Sequence, residues 1–353
     1  MREKRLSITD IARQLGTSTT TVSFVINGKA REKNISQVLI DRVEHLVSEL
    51  NYQPNALAKS FRTGKTMTIG FIVDEISQPF FSGIAKYIDE KASAHGYNIL
   101  FSSTKNSKKR GGEVLQVFNE RHVDAFIIAL PNGLENEVRK VISSEIPVVL
   151  FDRYIPGFES DYVLIDNENS AADAARHLID NGYSEIAFVT IETDQSQMLD
   201  RTRGYEKAIH TAGLKPIVKK INYQGKSESI AEIAEFLKQH SQIDSVVFSC
   251  NYLTMDGLDA MRQLNLKIGE DIAMVSFDDL EVLKYFVPSI TAIAQPLEEI
   301  ANQIMEILMY RLTDNTNKNK IKTVLATQLE IRDSSQFKKS SDEVQPEALT
   351  VGK

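Results

Sequence analysis

The segment SITDIARQLGTSTTTVSFVIN, residues 7–27, predicts two short helices joined by a tight turn. Ser7 can cap the first helix through its hydroxyl, and Asp10 three residues later completes a capping-box pattern. Gly16 can adopt the positive φ that ends a helix, and Ser18 can cap the next one. The buried face of the second helix is predicted from its helical spacing to comprise Val22, Val25 and Ile26.

The outer face of the second predicted helix is uncharged, whereas a solvent-facing helix normally carries charges there. Thr20, Phe24 and Asn27 share this face. Small hydroxyl side chains at the start of a helix and an uncharged outer face suit insertion into the major groove of DNA. Many small helical hairpins have similar patterning, so this segment alone leaves a purely structural hairpin open.

A basic loop and a third predicted helix follow. The loop begins at Asn27-Gly28-Lys29 and runs to Asn34, and Ser36 can cap the third helix. The apolar stripe of the third helix is predicted to be Ile40, Val43, Leu46, Val47 and Leu50.

Residues 50–73, LNYQPNALAKSFRTGKTMTIGFIV, carry a resemblance to a known family. The order TDIA, TTTVS, VING, LNYQPNALAKS and TIGFIV, followed by PFF, is similar to the lactose-repressor (LacI) family of bacterial transcriptional regulators. The resemblance continues to about Arg332 and therefore covers nearly the whole chain. It implies a helix-turn-helix head, a hinge helix that pairs with its partner over the minor groove, and an effector-binding body.

The charge of the chain is unevenly distributed. The net charge of −7 alone argues against nucleic acid as a partner. Residues 1–66, however, contain 11 Lys and Arg against 6 Asp and Glu, while the rest holds the other 30 basic and 42 acidic residues. A basic head on an acidic body concentrates the attraction for phosphates at one end, although a chance fluctuation could produce the same excess.

Length and composition predict a cytoplasmic protein of two or three domains. The chain has 353 residues, of which 42% are hydrophobic and 25% charged, as in ordinary globular proteins. No apolar stretch approaches the ~20 residues of a membrane span, and no amino-terminal apolar run predicts secretion. Cys250 is the single cysteine, so it cannot form an internal disulfide, and we expect a reducing compartment and no membrane partner.

Changes in composition divide the chain into four predicted segments. They are the helix-turn-helix head over residues 1–51, the hinge helix and linker over 52–66, the effector-binding and dimerisation body over 67–337, and a disordered tail over 338–353.

The hinge is predicted to contain a short, conditional helix. Pro54 disfavours helix at the residue before it, and Asn55 can cap the seven residues Ala56–Arg62. An isolated helix of this length is marginal in water, so we expect it to form only against DNA or a partner chain. Thr63–Thr66 is then predicted to be a flexible connector.

The body is predicted to be an α/β fold of two doubly wound parallel sheets, similar to periplasmic binding proteins. Short apolar runs alternate with helix-length amphipathic segments, which is typical of parallel βαβ units. In such folds ligands bind at the carboxyl ends of the strands. The predicted strands are Thr68–Val73, Asn98–Ser102, Ala125–Leu130, Pro147–Phe151, Ile186–Thr190, Ser245–Cys250 and Ile272–Phe277.

Motifs for catalysis are missing from the sequence. Gly64-Lys65-Thr66 is similar to the end of a phosphate-binding loop, but Lys59 stands where the first glycine is needed. There is no dinucleotide-binding glycine motif after a strand, no nucleophile elbow, and no metal-ligand spacing among the six histidines. We therefore expect no enzymatic activity, no cofactor and no metal. One alternative is a free solute-binding protein of the same two-lobed shape, which would require a signal peptide and the absence of a basic head. The other is an enzyme on a doubly wound fold, which would require a catalytic constellation.

Polar side chains follow several predicted strands of the body. Asp152, Asn251 and Asp278 each end a buried run, Gln295 closes ITAIAQ, and Arg201 opens a helix. Any one of them could simply cap a helix, but together they predict a polar cleft that binds a hydroxylated small molecule.

The resemblance implies that these five residues hold a sugar or purine effector. Phe80 and Phe81 fall where the first lobe of family members supplies aromatic walls, although both could instead belong to the core of their helix. The predicted effector-binding residues are Phe80, Phe81, Asp152, Arg201, Asn251, Asp278 and Gln295.

The sequence departs from the family pattern at several positions. Phe24 stands where members commonly have arginine, so a bidentate contact with guanine is not available. Thr19 and Thr20 occupy the other base-reading positions. Phe61 stands where members usually place a leucine wedge between base steps, and Tyr252 replaces a usual aspartate beside the pocket.

The sequence thus predicts a transcriptional regulator that binds a pseudo-palindromic double-stranded DNA operator as a homodimer or higher homo-oligomer. A small-molecule effector, expected to be a sugar, controls its affinity for the operator. The resemblance implies contacts to phosphates, base edges and the minor groove from Ser7, Ser18, Thr19, Thr20, Thr21, Ser23, Phe24, Asn27, Asn55, Ala58 and Phe61.

Overall fold

The computed structural model divides the chain into two units. One contains the amino-terminal head through Thr68 together with Arg121–Asp124, and the other contains the rest of the body. No helix in the described ranges combines the length and the apolarity that a membrane crossing requires. The ranges that the structure describes are 6–52, 60, 63–314 and 316–338.

The head begins with the predicted helical hairpin. The Ser7 hydroxyl accepts a hydrogen bond from the Asp10 backbone N–H at 3.3 Å, and the Asp10 carboxylate accepts one from the Ser7 N–H at 3.0 Å. This reciprocal pair confirms the capping box, and Gly16 has the expected φ of 63°. The helices of the head are α1 (Ile8–Leu15), α2 (Thr19–Ile26) and α3 (Gln37–Glu49).

The apolar faces of the three helices meet in one small core. The helices are short, so their stability comes from this shared burial more than from propensity. The prediction for Ser36 was wrong in one respect, because it occupies the N-cap position of α3 without a hydrogen bond from its side chain. The buried residues of the head core are Ile11, Ala12, Val22, Val25, Ala30, Ile40 and Val43.

The end of the predicted connector is held by one carboxylate. Asp124 accepts hydrogen bonds from the backbone N–H groups of Thr66 and Met67, both at 2.9 Å. Its Oδ1 also accepts from the Thr66 hydroxyl at 3.1 Å. Thr66 is therefore anchored rather than free, while the predicted hinge helix over residues 56–62 lies outside the described residues.

In the first half of the body, strands and helices alternate along the chain. Apolar strands pair in parallel in the middle of its sheet, and amphipathic helices cover them. The elements are β1 (Thr68–Val73), α4 (Pro79–Ala94), β2 (Asn98–Ser103), α5 (Lys108–Glu120), β3 (Ala125–Ala129), α6 (Glu135–Ser143), β4 (Val148–Phe151) and β5 (Asp161–Ile165).

A second series follows the same plan. Its core is lined by the buried faces of the helices and the inner strands. The elements are α7 (Asn167–Asp180), β6 (Ile186–Ile191), α8 (Ser196–Thr211), β7 (Ile217–Ile221), α9 (Lys226–Gln239), β8 (Ser245–Phe248), α10 (Asn251–Gln263), β9 (Ala273–Phe277), β10 (Thr291–Ala294), α11 (Leu297–Thr313), β11 (Lys322–Leu325) and β12 (Gln328–Glu330).

The strands form two six-stranded sheets, which define a first and a second lobe. The first sheet has the order β11-β5-β4-β3-β1-β2 and the second has the order β12-β10-β9-β8-β6-β7. The chain crosses between the lobes after β5, after β10 and after β11. Helix α11 returns to pack on α4 of the first lobe. The carboxyl ends of the inner strands therefore border the region where the lobes meet.

The bounds of the predicted strands are confirmed to within two residues, but the predicted burial of one strand was wrong. Strand β2 was predicted to be buried on both faces, but it lies at a sheet edge and its residues are half-buried or exposed. Apolar composition alone does not distinguish an edge strand from a central one. Strands β5, β7, β11 and β12 were not predicted, because polar residues interrupt their apolar runs.

The close packing of α7 on α8 requires a glycine. A Cβ atom at Gly204 would overlap the backbone carbonyl of Glu168 in α7. Because backbone cannot rotate away as a side chain can, Gly204→Ala should destabilise the body by about 1–3 kcal/mol. Urea denaturation measures this change, and Gly112→Ala is the control.

Gly112 lies in α5 with no atom within 4 Å of its Cβ position. Alanine there should stabilise the body by roughly 0.5–1 kcal/mol through helix propensity. If both variants unfolded at the wild-type urea concentration, the packing assigned to Gly204 would be incorrect.

Candidate functional site

The start of α2 presents small polar side chains to solvent. Thr19 and Thr20 are exposed. The Ser18 hydroxyl accepts a hydrogen bond from the Thr21 backbone N–H at 3.0 Å and lies 2.8 Å from the Thr21 hydroxyl. The cap thus orients these two hydroxyls at the amino end of α2, where the helix dipole favours a phosphate.

The outer face of α2 carries an aromatic ring beneath a cation. Phe24 is half-buried, and the ammonium group of Lys33 lies 5.6 Å from the centre of its ring. The Asn27 side chain turns back and donates to the Ser23 carbonyl at 2.6 Å and to the Ser23 hydroxyl at 3.2 Å. An uncharged helix face flanked by a basic loop suits the edges of bases and a neighbouring phosphate.

Asn55, Ala58 and Phe61 lie outside the described residues.

In the body, Asp278 is the centre of a buried polar cluster at the end of β9. Its Oδ2 accepts from the backbone N–H and the side-chain amide of Asn251 at 3.3 and 3.0 Å. Its Oδ1 accepts from the Gln295 amide at 2.6 Å. Burial raises the pKa of Asp278, while the nearby Arg201 and these hydrogen bonds counteract the shift. Three residues predicted from separate strand ends are therefore in direct contact.

Arg201 is buried in the second lobe, where two of its nitrogens are hydrogen-bonded. Its Nε donates to Asn167 Oδ1 at 2.8 Å and its Nη1 donates to the Ser249 carbonyl at 2.7 Å. Its guanidinium lies 3.5 Å from the centre of the Phe277 ring, and Arg201 as a whole is 2% exposed. Burial lowers its pKa, and Asp278 is the first of the charges that oppose this shift.

The first lobe contributes a second buried cluster, which contains Asp152. Arg153 is 5% exposed, and its Nη2 lies 2.8 Å from Asp74 Oδ2 and 2.9 Å from Asp152 Oδ2. Its Nε donates to the same Asp152 oxygen at 3.0 Å, and its Nη1 donates to the Leu130 carbonyl at 3.0 Å. Burial raises the pKa of Asp74, and the charge of Arg153 opposes this.

The two clusters face each other between the lobes. Gln197, at the start of α8 in the second lobe, donates to Asp152 Oδ2 of the first lobe at 3.2 Å. The charge of Asp152 also opposes the lowering of the Arg201 pKa by burial. Both strand-end aspartates have left-handed backbones, with φ of 66° at Asp152 and 76° at Asp278. Such conformations are uncommon outside glycine and are often retained at binding sites.

The aromatic residues near this cleft differ in burial. Phe81 is 7% exposed and its ring lies 6.1 Å from that of Phe151, as expected of a core residue. Phe80 is only half-buried and lies 5.2 Å from Phe81, so it is the better candidate for a wall. Tyr252 is half-buried with its ring 4.8 Å from that of Tyr223.

Four cleft residues were missed from the sequence. Asp74 directly follows β1, so the strand-end reasoning that found Asp152 would also have found it. Arg153 is adjacent to Asp152 in FDRY, and buried acidic partners explain its role only once the fold is known. Asn167 and Gln197 lie at helix starts, where amides are common caps, and no sequence signal distinguishes them.

Comparison with known proteins finds one family match in the head and another in the body. Residues 7–55 match the family described as bacterial regulatory proteins, lacI family, and residues 175–335 match a periplasmic binding protein-like domain. A helix-turn-helix head joined to such a body defines a DNA-binding transcriptional regulator. The chain combines a lacI-family helix-turn-helix domain with a periplasmic binding protein-like domain.

Individual relatives cover most of the chain. The HTH-type transcriptional repressor PurR of Vibrio atlanticus (strain LGP32) is 27% identical over 89% of this chain and 94% of its own length. The ribose operon repressor of Escherichia coli (strain K12) is 29% identical over 87% of this chain and 93% of its own. The structure of the lac repressor dimer bound to operator and the anti-inducer ONPF matches with a TM-score of 0.84. The match spans 94% of this chain and 100% of the lac repressor chain. Because the two are 19% identical, it supports the fold alone.

Proposed function

We propose that this regulator is a repressor whose affinity for a pseudo-palindromic operator is controlled by a sugar bound between the two lobes. The observation that carries the proposal is the pair of buried polar clusters joined by Gln197 and Asp152 at 3.2 Å. A ligand that bonds both clusters holds the lobes together, and only such differential binding changes operator affinity.

The chemistry of the cleft favours a polyhydroxyl ligand. Carboxylates, amides and guanidinium groups supply acceptors and donors in close succession, and each sugar hydroxyl can satisfy one of each. The half-buried ring of Phe80 offers an apolar face for the C–H side of a sugar ring. The E. coli relative is named a ribose operon repressor, which makes D-ribose the first sugar to test. We assign the effector contacts to Phe80, Asp152, Arg201, Asn251, Asp278 and Gln295, with Phe81 supporting Phe80.

The oligomer that we propose is a homodimer or larger. A pseudo-palindromic operator requires two heads related by a two-fold axis. The segment around Glu281–Tyr285 carries apolar side chains that a monomer would leave in water. Val282, Tyr285 and Val287 are 44%, 74% and 97% exposed.

We propose no catalytic role for the cleft. Arg153 is paired with two carboxylates, Arg201 and Asp278 are hydrogen-bonded to neutral groups of the protein, and the named relatives are repressors. A protein that binds a chromosomal operator acts in the cytoplasm, which is the location we propose.

A gel shift and footprint on DNA upstream of the chain's own gene test operator binding. Because the basic head should neutralise several phosphates per dimer, the logarithm of affinity should fall linearly with the logarithm of salt, with a slope on the order of −5 to −10. A flat salt response or the absence of a footprint would remove the DNA-binding proposal. A thermal-shift screen against sugars, sugar phosphates and nucleobases then tests the effector class.

Phe24 should contribute to the choice of operator. Phe24→Arg provides the two donors that pair with guanine, so preference should move toward guanine at one position per half-site by ~1–3 kcal/mol. Selection of binding sites from random DNA measures this shift. Gln14→Arg, which adds the same charge at an exposed position of α1, should raise affinity without changing the selected sequence. The same motif from both variants would make Phe24 a packing residue only.

A further inference from the structure

Every nitrogen of the Arg153 guanidinium already has a partner within the protein. Its three nitrogens are all occupied, by Asp152 at Nε, by the Leu130 carbonyl at Nη1 and by Asp74 and Asp152 at Nη2. Two carboxylates therefore neutralise one buried arginine. An arginine used for phosphate recognition needs its fork of N–H groups directed at the ligand, which these contacts prevent.

Two buried oxygen atoms of the same cluster lack a hydrogen-bond donor within the described part of the chain. Asp74 Oδ1 and Gln197 Oε1 are buried, and no group in the described part of the chain donates to them. The orientation of the Gln197 amide is supported by its nitrogen, which lies 3.2 Å from Asp152 Oδ2 and 3.3 Å from Gln195 Oε1. Both orphaned atoms are acceptors, so each needs a ligand that donates a hydrogen bond.

The balance of charge in the whole cleft also favours a neutral ligand over an anion. Asp74, Asp152 and Asp278 supply three carboxylates, whereas Arg153 and Arg201 supply two guanidinium groups. A sugar hydroxyl can donate to either orphaned oxygen, but the oxygens of a phosphate dianion can only accept. An anion beside Asp74 would also experience like-charge repulsion in a buried setting, where screening is weak.

We propose that Asp74 determines the charge specificity of the effector site, admitting neutral sugars and excluding their phosphates by occupying Arg153. This inference deepens the proposed function and rests on it. Asp74 acts on the ligand both directly, through Oδ1, and by withholding Arg153. Removing its charge should free the N–H of Nη2 that now bonds Asp74, while Asp152 keeps the other, and should remove the repulsion, so an anion should then bind.

The test compares full-length wild type with Asp74→Asn and Asp74→Ser by isothermal titration and thermal shift. The probes are D-ribose, D-ribose 5-phosphate and inorganic phosphate. We expect both variants to bind at least one of the two phosphate probes at least tenfold more tightly than wild type does. Wild type should prefer D-ribose to D-ribose 5-phosphate by at least tenfold.

Glu75→Gln is the matched control for net charge. It removes one carboxylate from the neighbouring residue, which bonds the Ser103 hydroxyl instead of Arg153. If Glu75→Gln gains the same affinity for phosphate, or if neither Asp74 variant gains any, the assignment to Asp74 is wrong. If both Asp74 variants fail to fold, the wild-type preference decides, and tighter binding of the phosphorylated sugar overturns the proposal.

Operator binding is measured on the same samples. Its loss from wild type would count against the proposed function, whereas an unexpected affinity for anions with intact operator binding would count against the role of Asp74 alone.

Discussion

Arg201→Ala should weaken effector binding by roughly 100-fold, or about 3 kcal/mol. The substitution removes the cation that lies near Asp278 and Asp152, and it leaves Asn167 Oδ1 and the Ser249 carbonyl without their donor. It also opens space over the Phe277 ring. The loss should be visible in calorimetric titration with the sugar identified by the thermal-shift screen.

Arg203→Ala is the control for this prediction. Arg203 lies two residues after Arg201 on the same helix. Its side chain is 57% exposed and is paired with Asp200 and Glu168. An exposed pair of this kind contributes about 0–1 kcal/mol, so effector affinity should stay near that of wild type. Equal losses in the two variants would mean that α8 itself, and not the Arg201 guanidinium, had been disturbed.

Arg311→Met should destabilise the body by about 3–5 kcal/mol, because it leaves the Asp161 carboxylate buried without its cation. The two side chains are 3% and 4% exposed, and their closest nitrogen and oxygen are 2.8 Å apart. Arg311 also donates to the carbonyls of Asn317 and Asn319. The pair thus ties α11 to β5 and to the segment that leads into β11.

Urea denaturation measures this loss, and two further variants test its cause. Arg176→Met breaks an exposed pair with Asp173 and should change stability by no more than about 1 kcal/mol. The double variant Arg311→Met with Asp161→Leu removes both charges and should recover much of the stability. If the double variant is less stable than Arg311→Met alone, an unpaired carboxylate is not the source of the loss.

The sequence was most informative where a local rule determines the structure. Ser7 and Asp10 form their capping box from residues within one helical turn, and the apolar run Thr68–Val73 is a central strand with the predicted bounds. Strand-end polarity correctly brought Asn251, Asp278 and Gln295 into one cluster, because parallel strands place their carboxyl ends at the same edge of a sheet.

The sequence was least informative where partners come from distant parts of the chain. Arg153 and Asp74 are separated by 79 residues, and only the pairing of β1, β3 and β4 brings them together. The edge position of β2 depends in the same way on strand order rather than on its own residues. Asn167 meets Arg201 through the packing of two helices, which no periodic pattern specifies.

The most direct test of the account is a paired titration of wild type and Asp278→Asn, with the sugar by calorimetry and the operator by fluorescence anisotropy with and without the sugar. Asp278 accepts three hydrogen bonds in the cleft, so its substitution should weaken sugar binding by roughly 1.5–3 kcal/mol. Saturating sugar should change the operator affinity of wild type. Asp278→Asn should keep wild-type operator affinity without sugar and respond only at higher sugar concentrations. Unchanged sugar affinity in Asp278→Asn, or loss of operator affinity by this variant in the absence of sugar, would contradict the account.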